Sequence, residues 1–383
     1  MDFSFSEDQI AIRELAYQIF TDRATDEFLL DFYRNDDAYD QQLWQTLAEQ
    51  GLLGIALPEA VGGSGLGFTE LCLVLEEQGK RVAPVPLLAN IVSAAIPITR
   101  YGSKDQHEKY LAPLAEGSIK LAAAIAELGM DDALHAPVNA KKTADGWTLQ
   151  GRRECVADGD CANFLLVPAQ DEQGQHSVFV VDTNARGVHK ESQDISLLGA
   201  WSANFDFDNV ELGDDALLGE AGQGDDILQC IEQHTQVAQC ALQVGVTEEA
   251  MRRTAAYTCE RKQFGVPIGS FQALAMRMAD SYIDVESIRS TYWLALSRLS
   301  EGLPAAAESR IAKWWACEAA HRVVHTSQHL HGGIGADIEY PIHRFFMWAK
   351  QISYNLGGGA HQLDQLGKLL AADDSVGYAA IEA

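Results

Sequence analysis

The stretch NFLLVPAQDEQGQHSVFVVD, residues 163–182, interrupts a chain whose flanks read as helix. Its two runs, NFLLVPA and HSVFVVD, are short and rich in β-branched and aromatic side chains, and Gly174 punctuates the segment between them. GWTLQG (146–151) and ANFDFDNVEL (203–212) have the same character, with Asp145-Gly146 and Gly187 as further breaks. The region from Ile119 to Leu218 is therefore predicted to be a compact β domain.

Outward from it in both directions the helical period returns. Ser6 and Gln9 have capping-box spacing, followed by the stripe Ile12, Leu15, Ala16 and Ile19. Leu71, Val74 and Leu75 mark another helix, expected to stop near Gly79. The glycine-rich LPEAVGGSGLGF (57–68) lacks GxGxxG spacing and follows no parallel-strand pattern, so it reads as a tight turn between helices and not as a dinucleotide loop. On the other side, Val237, Ala241 and Val244 keep helical spacing, Ala238 to Cys259 contains no proline, and ESRIAKWWACEAAHRVVHTSQHLH (308–331) is a second long helix. Helix, β and helix in separate blocks give an α+β class, with domains expected at 1–118, 119–222 and 223–383.

The chain has 383 residues and a formal net charge of −27, which disfavours sequence-independent nucleic-acid binding and requires a local basic cluster for any polyanionic ligand. The candidates are Arg252-Arg253 and Arg261-Lys262. The seven cysteines form no CxxC and are expected to be reduced core thiols, and no metal-ligand spacing is present. No run is apolar and long enough for a membrane span, and the acidic, amphipathic MDFSFSEDQIAIREL does not resemble a signal peptide, so a cytoplasmic location is expected.

Three blocks, LPEAVGGSGLGFTELCLVLEEQGK (57–80), ERKQFGVPIGSFQALAMRMAD (260–280) and HLHGGIGADIEYPIHRFFMWAK (329–350), closely resemble acyl-CoA dehydrogenases in order and spacing. The resemblance implies an N-terminal helical domain, a middle β-barrel domain and a C-terminal four-helix bundle. It implies FAD, a tetramer, and α,β-dehydrogenation of an acyl-CoA thioester. In that chemistry a carboxylate removes the α-proton while the flavin accepts the β-hydride, and hydrogen bonds to the thioester carbonyl assist. It also implies that each flavin lies at a subunit boundary, its ring held by one chain and its adenine and pyrophosphate end partly by the neighbour.

Against that pattern the chain departs at the catalytic centre. The Tyr-Glu-Gly-Thr-like stretch that carries the family's base reads Leu356-Gly357-Gly358-Gly359, within SYNLGGGAHQLD (353–364), which places glycine at the base position (Gly357) and at a flavin-contacting Thr position (Gly359). The alternate base position used by some relatives falls on Thr235 and Gln236, with Glu232 and His234 near. The Thr-Glu flavin contact reads Ala126-Glu127, and the aromatic-Ile-Thr-Asn strand reads Cys155-Val156-Ala157-Asp158, so two expected hydroxyl donors are alanines. The motif that reaches a neighbour's site is whole, as Arg261, Gln263 and Phe264, and so is the Gly332-Gly333 turn, whose usual Gln partner is His329. Taken alone, Arg261 reads as a surface ion-pairing residue and Gly332-Gly333 as a helix C-cap.

The pattern implies one subunit of a heteromeric acyl-CoA dehydrogenase that completes the FAD site of a homologous, Glu-bearing partner, as in bacterial relatives acting on bulky thioesters such as sterol side chains. The alternatives are a homotetrameric dehydrogenase with a displaced base and a flavin-dependent monooxygenase of the same fold.

Overall fold

In the computed structural model, residues 5–35, 37–125, 138–195 and 200–373 are described. The chain packs as two units, one of residues 37–71 and 84–235 and the other of residues 1–36, 72–83 and 236–383.

The first unit is built on an eight-stranded sheet. Its order runs Val188–Ile195, Ala200–Leu212, Trp147–Ala157, Asn139–Lys142, Phe164–Gln170, His176–Asp182 and Leu217–Leu218, with Leu121–Ala123 parallel beside Phe164–Gln170. The two runs that opened the sequence reading are adjacent antiparallel strands, Leu165 opposite Val181 and Val167 opposite Phe179. Five consecutive residues in each are buried, so both faces of these strands are covered and the usual polar alternation is absent. Leu149, Val167, Phe179, Phe205 and Phe207 are among the core side chains. Asn90, wholly buried, fastens a helical segment to this sheet: its Oδ1 accepts from the Leu121 amide at 2.7 Å and its Nδ2 donates to the Pro86 carbonyl at 2.8 Å.

The strand Val188–Ile195 was not among the runs read from sequence. Among the described residues it pairs only with Ala200–Leu212, and His189 to Ser192 are exposed, so an edge strand of polar residues carries no apolar signal.

The second unit is helical. The capping box at Ser6 and Gln9 opens the helix Glu7–Arg23 as expected. The helix Ala306–His331 buries mostly small side chains, Ala312, Ala316, Ala319, Ala320, Val323 and Val324 among them, and packs against Gln272–Ser300, Ile342–Tyr354 and Gly359–Ala372. All seven cysteines are free thiols. Among the described residues, no helix is long and apolar enough to cross a membrane.

The helix Phe68–Arg81 ends two residues past Gly79, near the expected stop. Gly79 lies in its interior because a side chain there would collide with the Leu242 carbonyl of the long helix Gly224–Glu260, and a side chain on Gly245 would collide with the Glu76 carbonyl. These glycines let two backbones touch. The chain leaves the helix at Val82, with φ of 44°, and the Gln78 side chain donates to the Ala83 carbonyl at 3.0 Å. Gly245→Ala is expected to cost roughly 1–3 kcal/mol, as an added carbon forced into a packed crossing does. Urea unfolding that leaves the variant level with the parent would refute this account of the crossing.

The contact buries carboxylates. Glu77 accepts from Arg13 at 3.0 Å and from Lys80 at 2.9 Å, and Arg289 reaches Glu248 at 3.2 Å and Glu76 at 3.7 Å. Burial pushes the Glu76 carboxyl up to about 7, against the pull of Arg289, Arg13 and Lys80. The folded state therefore holds a proton that the unfolded chain releases near its ordinary value of 4.5. The associated stability is present at pH 4.5 and below and is lost as pH rises towards 7, a difference on the order of 3 kcal/mol. Glu76→Gln is expected to flatten the fall in stability between pH 5 and 7, read from urea midpoints at each pH. Parallel profiles for variant and parent would show that Glu76 does not titrate in this range.

Candidate active and cofactor-binding sites

The triple glycine lies between the helices Ile342–Tyr354 and Gly359–Ala372. Leu356 and Gly357 both take left-handed backbone, with φ of 56° and 84°. The surrounding polar groups secure this shape. The buried Lys313 ammonium donates to the Ile352 carbonyl, and the Cys317 thiol donates to the Ser353 carbonyl at 3.2 Å. The Gln362 side chain, fully buried, donates to the carbonyls of Leu356 at 2.7 Å and Gly357 at 3.2 Å. Its own oxygen accepts from Gln236 at 3.2 Å. The carbonyls at the end of one helix and in the turn after it are thus satisfied by side chains from other helices.

At Gly357 a side chain would run into the His361 ring, so the place of a carboxylate's stem is already filled. At Gly359 an added Cβ would meet the Glu318 carboxylate at 2.7 Å and Trp314 at 3.4 Å. Sequence reasoning identified these glycines as missing groups. It did not reach His361, Gln362, Lys313 or Glu318, whose approach depends on tertiary packing.

The alternate base position is occupied by a hydroxyl with a partner: Thr235 is buried and shares a hydrogen bond with Ser93 at 3.0 Å. His234 donates through Nδ1 to the Cys230 carbonyl at 2.8 Å and packs on Phe68, with ring centroids 4.9 Å apart, and burial lowers its pKa. Glu232 is half-buried, one turn before Gln236 on the unbroken helix Gly224–Glu260.

Along the strand Trp147–Ala157 the register shifts between Arg153 and Val156, and Cys155 takes φ of 51°. Its amide donates to the Asn204 side chain at 2.9 Å. Asp158 follows with φ of 51°, a conformation that Asp tolerates, and burial pushes its carboxyl up to about 7. Ala157, opposite Ser202, supplies no hydroxyl. Ala126 and Glu127 lie outside the described residues.

The other group of candidates is open. Arg261 follows the long helix, its amide donating to the Tyr257 carbonyl at 2.9 Å. Its side chain is exposed and makes no ion pair among the described residues, which the surface ion-pair reading required. Lys262–Gln263 and Val266–Pro267 form a short hairpin whose turn places Phe264 at φ 54° and Gly265 at φ 81°. Phe264 is 93% exposed, an unusual cost for a phenyl ring.

Gly332, at φ 66°, caps the helix Ala306–His331, and at both Gly332 and Gly333 the space a Cβ would enter is empty. The turn is a C-cap and also bare, reachable backbone. Tyr257 stacks on His331 at 4.3 Å and donates to its carbonyl at 3.4 Å, so the scaffold of Arg261 and that of the glycine turn are joined. Tyr257 was not legible, because four residues before Arg261 it reads as one more helical aromatic. His329 accepts through Nδ1 from Arg277 at 2.6 Å.

The residues present thus fit a dinucleotide unevenly. The positions meant for the ring carry no donors at Ala157 and Gly359, and the second is crowded by Glu318. The positions meant for a pyrophosphate offer an unpaired guanidinium and open glycines.

Residues 6–118 match the acyl-CoA dehydrogenase N-terminal domain and residues 223–371 its C-terminal domain. Acyl-CoA dehydrogenase FadE27 of Mycobacterium tuberculosis is 34% identical over 380 residues, covering 97% of this chain and 99% of the relative. The ChsE4-ChsE5 complex from Mycobacterium tuberculosis is similar at a TM-score of 0.91 and 34% identity, covering 97% of this chain and 100% of the matched one. A variant of the Tcur3481-Tcur3483 steroid ACAD is similar at a TM-score of 0.88 and 40% identity, covering 96% of this chain and 98% of the matched one.

Gly357→Glu tests the reading of the glycine turn. The new side chain must adopt left-handed backbone, at about 1–2 kcal/mol, and displace the His361 ring. The expected result is a lowered melting temperature and no acyl-CoA-dependent dye reduction by this chain alone. A fully stable variant with clear turnover would show that the loop is a ready base site after all.

Proposed function

The chain belongs to the acyl-CoA dehydrogenase family, and from that premise we propose that it is the subunit of a heteromeric FAD-dependent acyl-CoA dehydrogenase that completes its partner's cofactor site without itself removing the α-proton. The observation that carries this reading is the contrast between a base position built into strained, filled backbone at Gly357 and an unspent Arg261 beside exposed Phe264. The relatives of known structure include a complex of two different chains and a steroid ACAD, which supports a homologous partner and a bulky acyl-CoA such as a sterol side-chain thioester.

When bound, FAD supplies the hydride acceptor. This chain's part is binding and orientation. The Arg261 fork matches a pyrophosphate oxygen pair, and Gly332 and Gly333 let backbone approach the same anion. Phe264 offers an apolar face from the hairpin to whatever lies over it. His329, held as an acceptor by Arg277, keeps its Nε2 proton available for donation, which is the role the usual Gln amide would fill. The proton abstraction falls to a carboxylate on the partner.

Produced alone, the chain is expected to retain little flavin, measured by absorbance per chain after dialysis. In the co-expressed pair, Arg261→Ala removes a charge-assisted contact and is expected to weaken flavin affinity roughly tenfold to a hundredfold while leaving assembly intact. Stoichiometric flavin in the isolated chain, or full affinity in the Arg261→Ala pair, would overturn the assignment.

A further inference from the structure

Lys80, Lys109, Lys141, Lys142, Lys190 and Lys368 each meet a carboxylate. Lys350, on the helix Ile342–Tyr354, does not. Its ammonium donates to His321 Nδ1 on the helix Ala306–His331, and it makes no ion pair among the described residues. An ammonium can only donate, so His321 is neutral here, accepts through Nδ1 and carries its proton on Nε2. His321 is exposed and Lys350 half-buried, so the pair opens to solvent.

The neighbours are aromatic or already engaged. The Lys350 nitrogen lies 5.3 Å from the Phe346 ring centroid, Phe346 packs on His325 at 4.8 Å, and the His325 and His321 rings are 4.2 Å apart. Arg322 holds Asp284 through bonds of 2.9 and 2.5 Å. Glu318 favours charge on His321 and Arg322, but no ion pair joins it to Lys350 among the described residues. Burial lowers the Lys350 pKa, and burial and then Lys350 lower that of His321, with Glu318 opposing and Arg322 assisting. The neutral forms of an amine and of an imidazole are thus favoured side by side, the arrangement of a nucleophile beside its base.

We propose that Lys350 is an acyl-acceptor site, taking the acyl group of a CoA thioester onto its ε-nitrogen with His321 as the proton acceptor. The inference needs only that acyl-CoA thioesters are what the family acts on, and it is independent of the division of roles proposed above. His321 Nδ1 takes one proton from the ammonium and hands it to solvent. The freed lone pair attacks the thioester carbonyl carbon, a C–N bond forms and the C–S bond breaks. The departing thiolate takes up a proton as the new amide nitrogen loses one. The products are an Nε-acyl-lysine, coenzyme A thiol and one proton, with no oxidation or reduction. The amide N–H can still donate to His321 Nδ1, so the link between the two helices outlasts the charge.

The probe is acetyl-CoA, which has no β-carbon and cannot be consumed by dehydrogenation. The full chain is incubated with it at pH 7.5, and acetylated peptides are quantified over time by mass spectrometry. Lys350 is expected to react at least roughly tenfold faster than Lys104, an exposed lysine with no ion pair among the described residues. His321→Gln keeps an acceptor for the ammonium but removes the base, and is expected to bring Lys350 down to the rate of Lys104. Equal rates for the two lysines in wild type, or an undiminished Lys350 in the variant, overturn the proposal. His325 gives a second readout by NMR titration. Burial, Lys350 and His321 lower its pKa, so acetylation of Lys350 is expected to raise it toward the ordinary 6.5, while Lys350→Arg treated alike shows no change. An unmoved His325 in chain acetylated at Lys350 overturns the arrangement on which the proposal stands.

Discussion

The crossing of two helices at Gly79 and Gly245 sets much of the second unit. Each glycine faces a carbonyl of the other helix, Leu242 and Glu76, at a distance no side chain would permit. With backbones in contact, the carboxylates that flank the crossing lose access to water. Glu76 is 1% exposed and Glu77 is 2% exposed. Arg13, Lys80 and Arg289 then supply counter-charge from three different helices, so one steric contact recruits ionic ties to the helices Glu7–Arg23 and Gln272–Ser300. Such a network is a poor source of net stability, because desolvation offsets the attraction, but it is costly to break at one member. It specifies how these helices are arranged more than how strongly they are held.

The fold class was legible because its signals are local. The buried strands carry dense β-branched and aromatic runs, and the long helices carry period and length. What escaped has a common cause. Gly79 marks the approach of a helix end in the sequence, but only the opposing Leu242 carbonyl reveals that it is also a contact. Val188–Ile195 is polar because an edge strand needs no apolar face. Cys155, Asp158 and Leu356 adopt left-handed backbone that their residue types do not announce. The absences at Gly357 and Ala157 could be read from the chain, since a missing group is a matter of composition. What fills the place of a missing group, His361 against Gly357 or Glu318 against Gly359, is a matter of packing between helices.

The same distinction separates the two halves of the candidate site. Around Gly357 the side chains of four neighbouring residues are engaged with the turn or with one another. Lys313 and Cys317 satisfy the end of one helix, Gln362 satisfies the turn, and Gln236 holds Gln362. A turn so fastened does not depend on a carboxylate for its shape, which is why the base can be absent without loss of the fold. It also resists the return of one, since an acid would need both a different backbone and the room now taken by His361. Around Arg261 the reverse holds. The guanidinium has no ion-pair partner among the described residues, Phe264 is bare, and the backbone at Gly332 and Gly333 faces open space. Leaving such groups unpaired gains nothing for an isolated chain, whose exposed phenyl ring is an unfavourable contact with water. Their cost is recovered only when another surface and an anion meet them, and this energetic asymmetry between the closed turn and the open hairpin is what the proposed division between a catalytic partner and a binding subunit rests on.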